Sequence, residues 1–372
     1  MMKTTRWEVG AGILLLAVSA LLIGCGKQAP PATNGGSVQS ASSADRSAGG
    51  QLIGAGSSFA YPIYSKMGAA FEAATGARLN YQSIGSSGGI KGIKNKVVDF
   101  GGSDAFLTDK QIAEFGGSII QFPTVIGAIV ITYNLTGDPT LKLTGNTIAE
   151  IFLGKITKWN DPAISSTNPG VKLPNQDIVV AHRTDGSGTT FNFTLYLSRV
   201  SPAWKEQVGY STSVDWPAGL GGAQNAGVAA IVKQTPGAIG YVELAYATQN
   251  GLRYATIQNK AGNWIVPSLA STSAAAKIQI PADGRIYLDD TEAPEGYPIA
   301  TLTWIIAYKE QDYGGRSLRH AKRLVNFFWW MIHDGQQYAE PLQYSQLPPA
   351  AVKADEAIIR SITFDGKPVL SD

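Results

Sequence analysis

The chain has a single cysteine, Cys25, among its 372 residues. No internal disulfide is possible, so packing must hold the fold together. Charge is sparse as well. Asp, Glu, Lys and Arg make up 16% of the residues and the formal net charge is +2, which gives no overall field suggesting nucleic acid. The three histidines, His182, His320 and His333, lack metal-ligand spacing such as HExxH, so no metal and no other cofactor is expected. "GAGSSF" begins like a dinucleotide fingerprint but has Phe59 at the last glycine position, and "GSSGGIKGIK" lacks the contiguous GK[ST] of a phosphate loop. In "DGSGT" the second glycine directly follows Ser187, which is not the GxSxG of a nucleophile elbow. The apolar stretch Ala11 to Gly24 is shorter than the ~20 residues of a spanning helix.

Hydrophobic residues at 44% and glycine at 42 residues describe a globular chain rich in tight turns. Its length suits two lobes better than one compact core. Lys3 and Arg6 followed by "AGILLLAVSALLIG" read as a targeting segment over 1–24. It ends in "LIGC", which resembles the lipobox of bacterial lipoproteins and makes Cys25 the expected lipidation site. An ordinary cleaved signal with a chance cysteine is the alternative. Residues 25–50 are largely Pro, Gly, Ser and Ala and are expected to form a flexible tether, because they cannot bury enough surface to offset ordering entropy.

From Gln51 onward, strand-like and helix-like segments alternate, which predicts an α/β fold. "QLIGAGSSFAYPIYSKMGAAFEAATG" reads as strand, Gly/Ser turn and helix, with Pro62 in its first turn and Gly76 beyond its end. "FPTVIGAIVITYN" and "PIATLTWIIAYK" read as buried strands, and "IAEIFLGKITKWND" as a helix. "VNFFWWMIH" is too short to span a bilayer and is expected to face the core.

One local design recurs. "GSSF" (Gly56 to Phe59), "GSSGG" (Gly85 to Gly89) and "GSGTT" (Gly186 to Thr190) each join a strand to a helix. The first N–H groups of a helix lack intrahelical partners, and the helix dipole favours an anion there. The hydroxyls of Ser58, Ser86, Ser187 and Thr189 add donors, while Gly188 allows close backbone approach. Arg183 supplies a planar donor fork, and Asp185 is placed to hold it, unless the two form only an exposed surface pair. Asp104 opposes any anion without a proton to share. It would accept from phosphate and repel sulfate.

Seven segments, "GAGSSFAYPIY", "YQSIGSSGGIKGI", "VDFGGSDAFLTD", "QFPTVIGAIV", "IFLGKITKWND", "RTDGSGTTFNFTLYLS" and "PGAIGYVELAYA", in this order resemble the phosphate-binding protein of bacterial phosphate ABC importers, within the periplasmic binding protein superfamily. The resemblance implies a two-lobed, type II fold with a mixed sheet and flanking helices in each lobe and a two-segment hinge. It divides the chain into lobe I (51–127 plus 298–372) and lobe II (128–297). It implies phosphate contacts from Ser58, Phe59, Ser86, Asp104, Arg183, Asp185, Ser187, Gly188 and Thr189. The Phe59 N–H and a direct contact from Asp185 come from the resemblance alone. It further implies a monomeric, exported, non-enzymatic protein that delivers inorganic phosphate to membrane permease subunits with a cytoplasmic ATPase. With the lipobox, this places it in the cell envelope, in the periplasm or on the outer face of the membrane. A phosphoester hydrolase with Ser187 as nucleophile, or a surface phosphate sensor or adhesin, are the alternatives.

Overall fold

The computed structural model describes residues 50–278 and 281–370. The targeting segment, Cys25 and the tether as far as residue 49 lie outside the described residues. Nine strands form one mixed sheet: β1 (Gln51–Gly56), β2 (Arg78–Ser83), β3 (Phe100–Ser103), β4 (Ile119–Tyr133), β5 (Val179–Arg183), β6 (Leu220–Gly222), β7 (Ala238–Glu243), β8 (Arg253–Tyr254) and β9 (Ala300–Tyr308). Their order is β2-β1-β3-β9-β4-β7-β5-β6, with β8 also paired to β4. β1 is parallel to β2 and β3, and β5 is parallel to β6 and β7; β7 and β9 run antiparallel to β4.

β4 belongs to both ends of this sheet. Ile119 to Ala128 pair with β9, whereas Ile129 to Tyr133 pair with β7. The sequence of β4 is almost continuously apolar and β-branched because nearly every residue of it is buried, as is all of β9. The mixed sheet expected in each lobe is present, and the two are joined end to end through β4, whose first part pairs in one and whose last part pairs in the other. Pro123 interrupts the pairing. It lies opposite Trp304 while Val125 lies opposite Thr303, so Thr124 is an extra residue in a bulge. The Thr124 hydroxyl donates to the Thr303 carbonyl at 3.1 Å and fixes this bend.

Five helices matter to the site and its support: α1 (Tyr61–Thr75), α2 (Ser86–Lys94), α3 (Gly188–Val200), α4 (Gln224–Gln234) and α5 (Leu318–Ile332). α1 has Pro62 in its first turn and ends at Gly76, with φ of 75°. α5 contains the "VNFFWWMI" segment, and its Phe328 ring packs against Phe100 and Phe122 with centroids 5.7 and 5.3 Å apart. The helix expected over "IAEIFLGKITKWND" covers only Gly145–Phe152, since Gly154 adopts φ of 71° and turns the chain out of it. Among the described residues, no helix is long and apolar enough to cross a membrane.

Candidate functional site

The site is built where strand ends meet helix starts. β1 leads through Ser57, Ser58 and Phe59 into α1, and β2 leads into α2 at Ser86. Asp104 follows β3 directly, and Arg183 is the last residue of β5. The "GSSGG" and "GSGTT" segments are less loop-like than expected. α2 starts at Ser86 without a side-chain cap, and α3 starts at Gly188, where Ser187 caps it by accepting from the Thr190 N–H at 3.0 Å. The two helix starts meet, since the Ser87 N–H donates to the Gly186 carbonyl and the Gly188 N–H to Ser86 Oγ.

Asp104 is the buried carboxylate of this space. Its Oδ1 accepts from Ser57 Oγ at 2.5 Å and Thr303 Oγ1 at 2.8 Å, while Oδ2 is approached only by Ser86 Oγ at 3.5 Å. Burial raises its pKa from 3.8 to about 6, against the opposing hydrogen bonds from Ser57 and Thr303 and the charge of Arg183. Oδ1 has both lone pairs engaged, so Oδ2 is left to accept a further proton donor.

Arg183 is 4% exposed, which removes the surface-pair reading. Its Nε donates to Asp185 Oδ1 at 2.8 Å, and its Nη2 bonds Asp185 Oδ2 in a bidentate fork. Nη1 donates to Thr189 Oγ1 at 3.3 Å. Asp185 also accepts from the Gln224 N–H at 2.8 Å. Burial raises the Asp185 pKa, but the hydrogen bond and charge of Arg183 outweigh it and hold the carboxyl below its usual range.

The two sets of residues touch. Ser86 Oγ accepts from the Gly188 N–H at 3.1 Å, Ser87 N–H donates to the Gly186 carbonyl at 3.0 Å, and Asn192 Nδ2 donates to the Asp104 carbonyl at 2.6 Å. Ser58 Oγ accepts from Asn225 Nδ2 at 2.9 Å, and the same Nδ2 donates to Thr189 Oγ1 at 3.2 Å. All nine residues singled out in the sequence thus lie in one neighbourhood. Ser57, Thr303 and Asn225 were missed. Ser57 stood beside Ser58 in the same motif, where sequence offers no way to assign the two hydroxyls. Thr303 lies inside an apolar strand, and Asn225 follows "GGAQ" with no motif around it. His182 does not serve Ser187: its ring stacks on Trp216, its Nδ1 faces the Arg183 carbonyl at 3.1 Å, and burial lowers its pKa. Among the described residues, no group of three or more His, Cys, Asp or Glu could hold a metal ion.

Donors surrounding one poised carboxylate suit an oxyanion that carries a proton. Comparison with known proteins agrees with that chemistry. The PBP superfamily domain model matches residues 41–334. The phosphate-binding protein PstS of Xylella fastidiosa is 43% identical over 94% of this chain and 96% of its own. The chain belongs to the PstS family of phosphate-binding proteins. The Haemophilus influenzae member is 44% identical over 81% of this chain and 90% of its own. A solved high-affinity periplasmic phosphate-binding protein, bound with phosphate, has a TM-score of 0.68 over 82% of this chain and 93% of its own, at 20% identity. That likeness establishes the two-lobed periplasmic binding protein fold.

Proposed function

We propose that the protein binds inorganic phosphate between its lobes, discriminates against sulfate, and delivers phosphate to the membrane permease of an ABC importer. The observation that favours this is the asymmetry of Asp104, whose Oδ1 is saturated while Oδ2 is approached only by Ser86 Oγ, beside Gly188 at the start of α3. Phosphate at neutral pH keeps a P–OH that Oδ2 accepts, and its other oxygens meet donors. Sulfate has no proton to give, so the same carboxylate repels it. The nine residues from Ser58 to Thr189 are the ligand set of this reading, with Phe59 contributing its N–H and Asp185 both holding Arg183 and reaching the anion.

The lobe boundaries that fit are 51–127 plus 298–372 and 128–297, with β4 and the approach to β9 as the two hinge segments. The role is binding, not catalysis: Ser187 caps a helix and His182 points elsewhere. Export with a lipid anchor at Cys25, in the periplasm or on the outer face of the cell membrane, completes the proposal. Titration calorimetry at pH 7.5 is expected to give tight phosphate binding that millimolar sulfate leaves unchanged; equal affinities would overturn the Asp104 reading. Incorporation of labelled palmitate, lost in Cys25→Ala, tests the anchor.

A further inference from the structure

Three hydroxyls of the site share a feature that their sequence motifs do not disclose. Each oxygen is approached by two N–H donors. Ser86 Oγ receives the N–H of Asp104 at 3.3 Å and of Gly188 at 3.1 Å. Ser58 Oγ receives the N–H of Asn225 at 3.2 Å and its Nδ2 at 2.9 Å. Thr189 Oγ1 receives Arg183 Nη1 at 3.3 Å and Asn225 Nδ2 at 3.2 Å. A hydroxyl has two acceptor lone pairs and one proton. With both lone pairs engaged by groups that can only donate, its proton has one remaining role, to donate in turn.

Asn225 supplies three of these contacts, and its orientation is set by the backbone. Its Oδ1 accepts the Glu243 N–H at 2.9 Å, which leaves Nδ2 as the end directed at Ser58 and Thr189. The side chain is fully buried at the start of α4. The preceding Gln224 is held by its N–H to Asp185, and it adopts φ of 61°, a conformation uncommon outside glycine. Asn225 therefore joins the β1–α1 turn to α3 through one amide, and both of its Nδ2 hydrogens are used in doing so.

We propose that Asn225 is the residue that sets the polarity of the phosphate cradle. By filling the acceptor sites of Ser58 and Thr189, it makes both hydroxyls obligate donors toward the anion and removes the alternative in which they would accept from solvent or from a protonated ligand. Asp104 Oδ2 is then the one acceptor among these groups. Since Ser58 and Thr189 lie on different lobes in the division above, their polarity is set together only when the lobes meet. Asn225 acts through these hydroxyls and is a positioning residue.

This inference rests on the phosphate reading and is tested by double-mutant cycles. Phosphate affinity is measured by calorimetry for Asn225→Ala in the otherwise unchanged protein and in the Ser58→Ala/Thr189→Val background. The expected loss is about 30-fold in the first case and under about threefold in the second, because the hydroxyls through which Asn225 acts are gone. Equal losses in both backgrounds, or no loss in either, would overturn the inference. Asn225→Asp, of the same shape, is run through the same cycle in case the alanine variant does not fold, with ligand-free melting as the control. Its carboxylate would accept the two hydroxyl protons, so its loss in the unchanged background is expected to exceed that of alanine and to shrink when the hydroxyls are removed. If the unsubstituted protein binds no phosphate, the functional reading fails; if it binds and the cycles are additive, only the role of Asn225 fails.

Discussion

At the scale of single residues, Asp104 is costly to the protein without ligand. Its carboxyl titrates at about 6 in the fold and near 3.8 when unfolded, so between those values the folded state binds more protons. Its contribution to stability is greatest below the unfolded pKa and is lost as pH rises through about 6. At neutral pH the loss is on the order of 3 kcal/mol. Asp104→Asn is therefore expected to raise the ligand-free Tm at pH 7.5 and to leave it nearly unchanged at pH 4, which differential scanning calorimetry checks. The same protonation turns Asp104 from acceptor into donor. Sulfate binding by the unsubstituted protein should consequently appear as pH falls through about 6, and sulfate binding by Asp104→Asn should vary little across that range. Arg183 makes the opposite case, a cation already neutralised by Asp185. Arg183→Ala removes the guanidinium with all its donors and leaves Asp185 without its cation, and its phosphate affinity is expected to fall at least about 100-fold by calorimetry. Arg183→Lys should recover little of this, because an ammonium cannot reproduce the fork that meets Asp185.

At the scale of elements, the site depends on how closely the starts of α2 and α3 approach. A Cβ on Gly188 would lie 2.5 Å from Ser86 Oγ and 2.7 Å from Asp104 Oδ2. A Cβ on Gly85, where φ is 82°, would meet Asp185 and lie 2.7 Å from the Gly186 carbonyl. In the proposed lobe division, both glycines lie where one lobe touches the other. Gly188→Ala adds no backbone strain, so it is expected to weaken phosphate about 10- to 100-fold while the ligand-free Tm barely moves. A Tm loss of the same size as the affinity loss would mean that the contact supports the fold and not closure. These element starts were legible in sequence because glycine, serine and proline mark turns and caps through strong local preferences, and the alternation of strand and helix followed. The bulge was not. Pro123 announces a disturbed strand, but only the register of β9 decides that Thr303 turns toward Asp104. Asn225 was hidden for the same reason: its partners Ser58, Thr189 and Glu243 are distant in the chain, and no local pattern encodes them.

At the scale of the molecule, the two kinds of connection between the lobes differ in strength. β4 and β9 join them through an apolar core paired on both sides of the Thr124 bulge, whereas the surfaces around the site meet through hydrogen bonds, with the Phe106–Tyr287 stack and the Arg285–Asp109 ion pair further out. Ser87 Oγ reaches Thr212 Oγ1 at 3.2 Å and Ser83 Oγ reaches Gln224 Oε1 at 3.0 Å, beside the contacts of Ser86, Asn192 and Asn225. Water satisfies such groups nearly as well as the opposite lobe does, so each contact adds only about 1 kcal/mol, and closure alone gains little. An anion that bonds donors from both sides has differential affinity for the closed state and shifts the population toward it. The buried carboxylate adds to this coupling, since the P–OH of phosphate offsets the cost of keeping Asp104 ionised. Ligand at 1,000 times its Kd adds about 4 kcal/mol to stability, equivalent to a rise in Tm on the order of 10 °C. Phosphate is expected to produce that rise at pH 7.5, together with a smaller radius of gyration by small-angle scattering, and sulfate at the same concentration to produce neither. In Gly188→Ala the same phosphate concentration should leave both quantities closer to their ligand-free values. A full thermal shift without compaction would place the anion on one lobe only and remove the cleft from the mechanism.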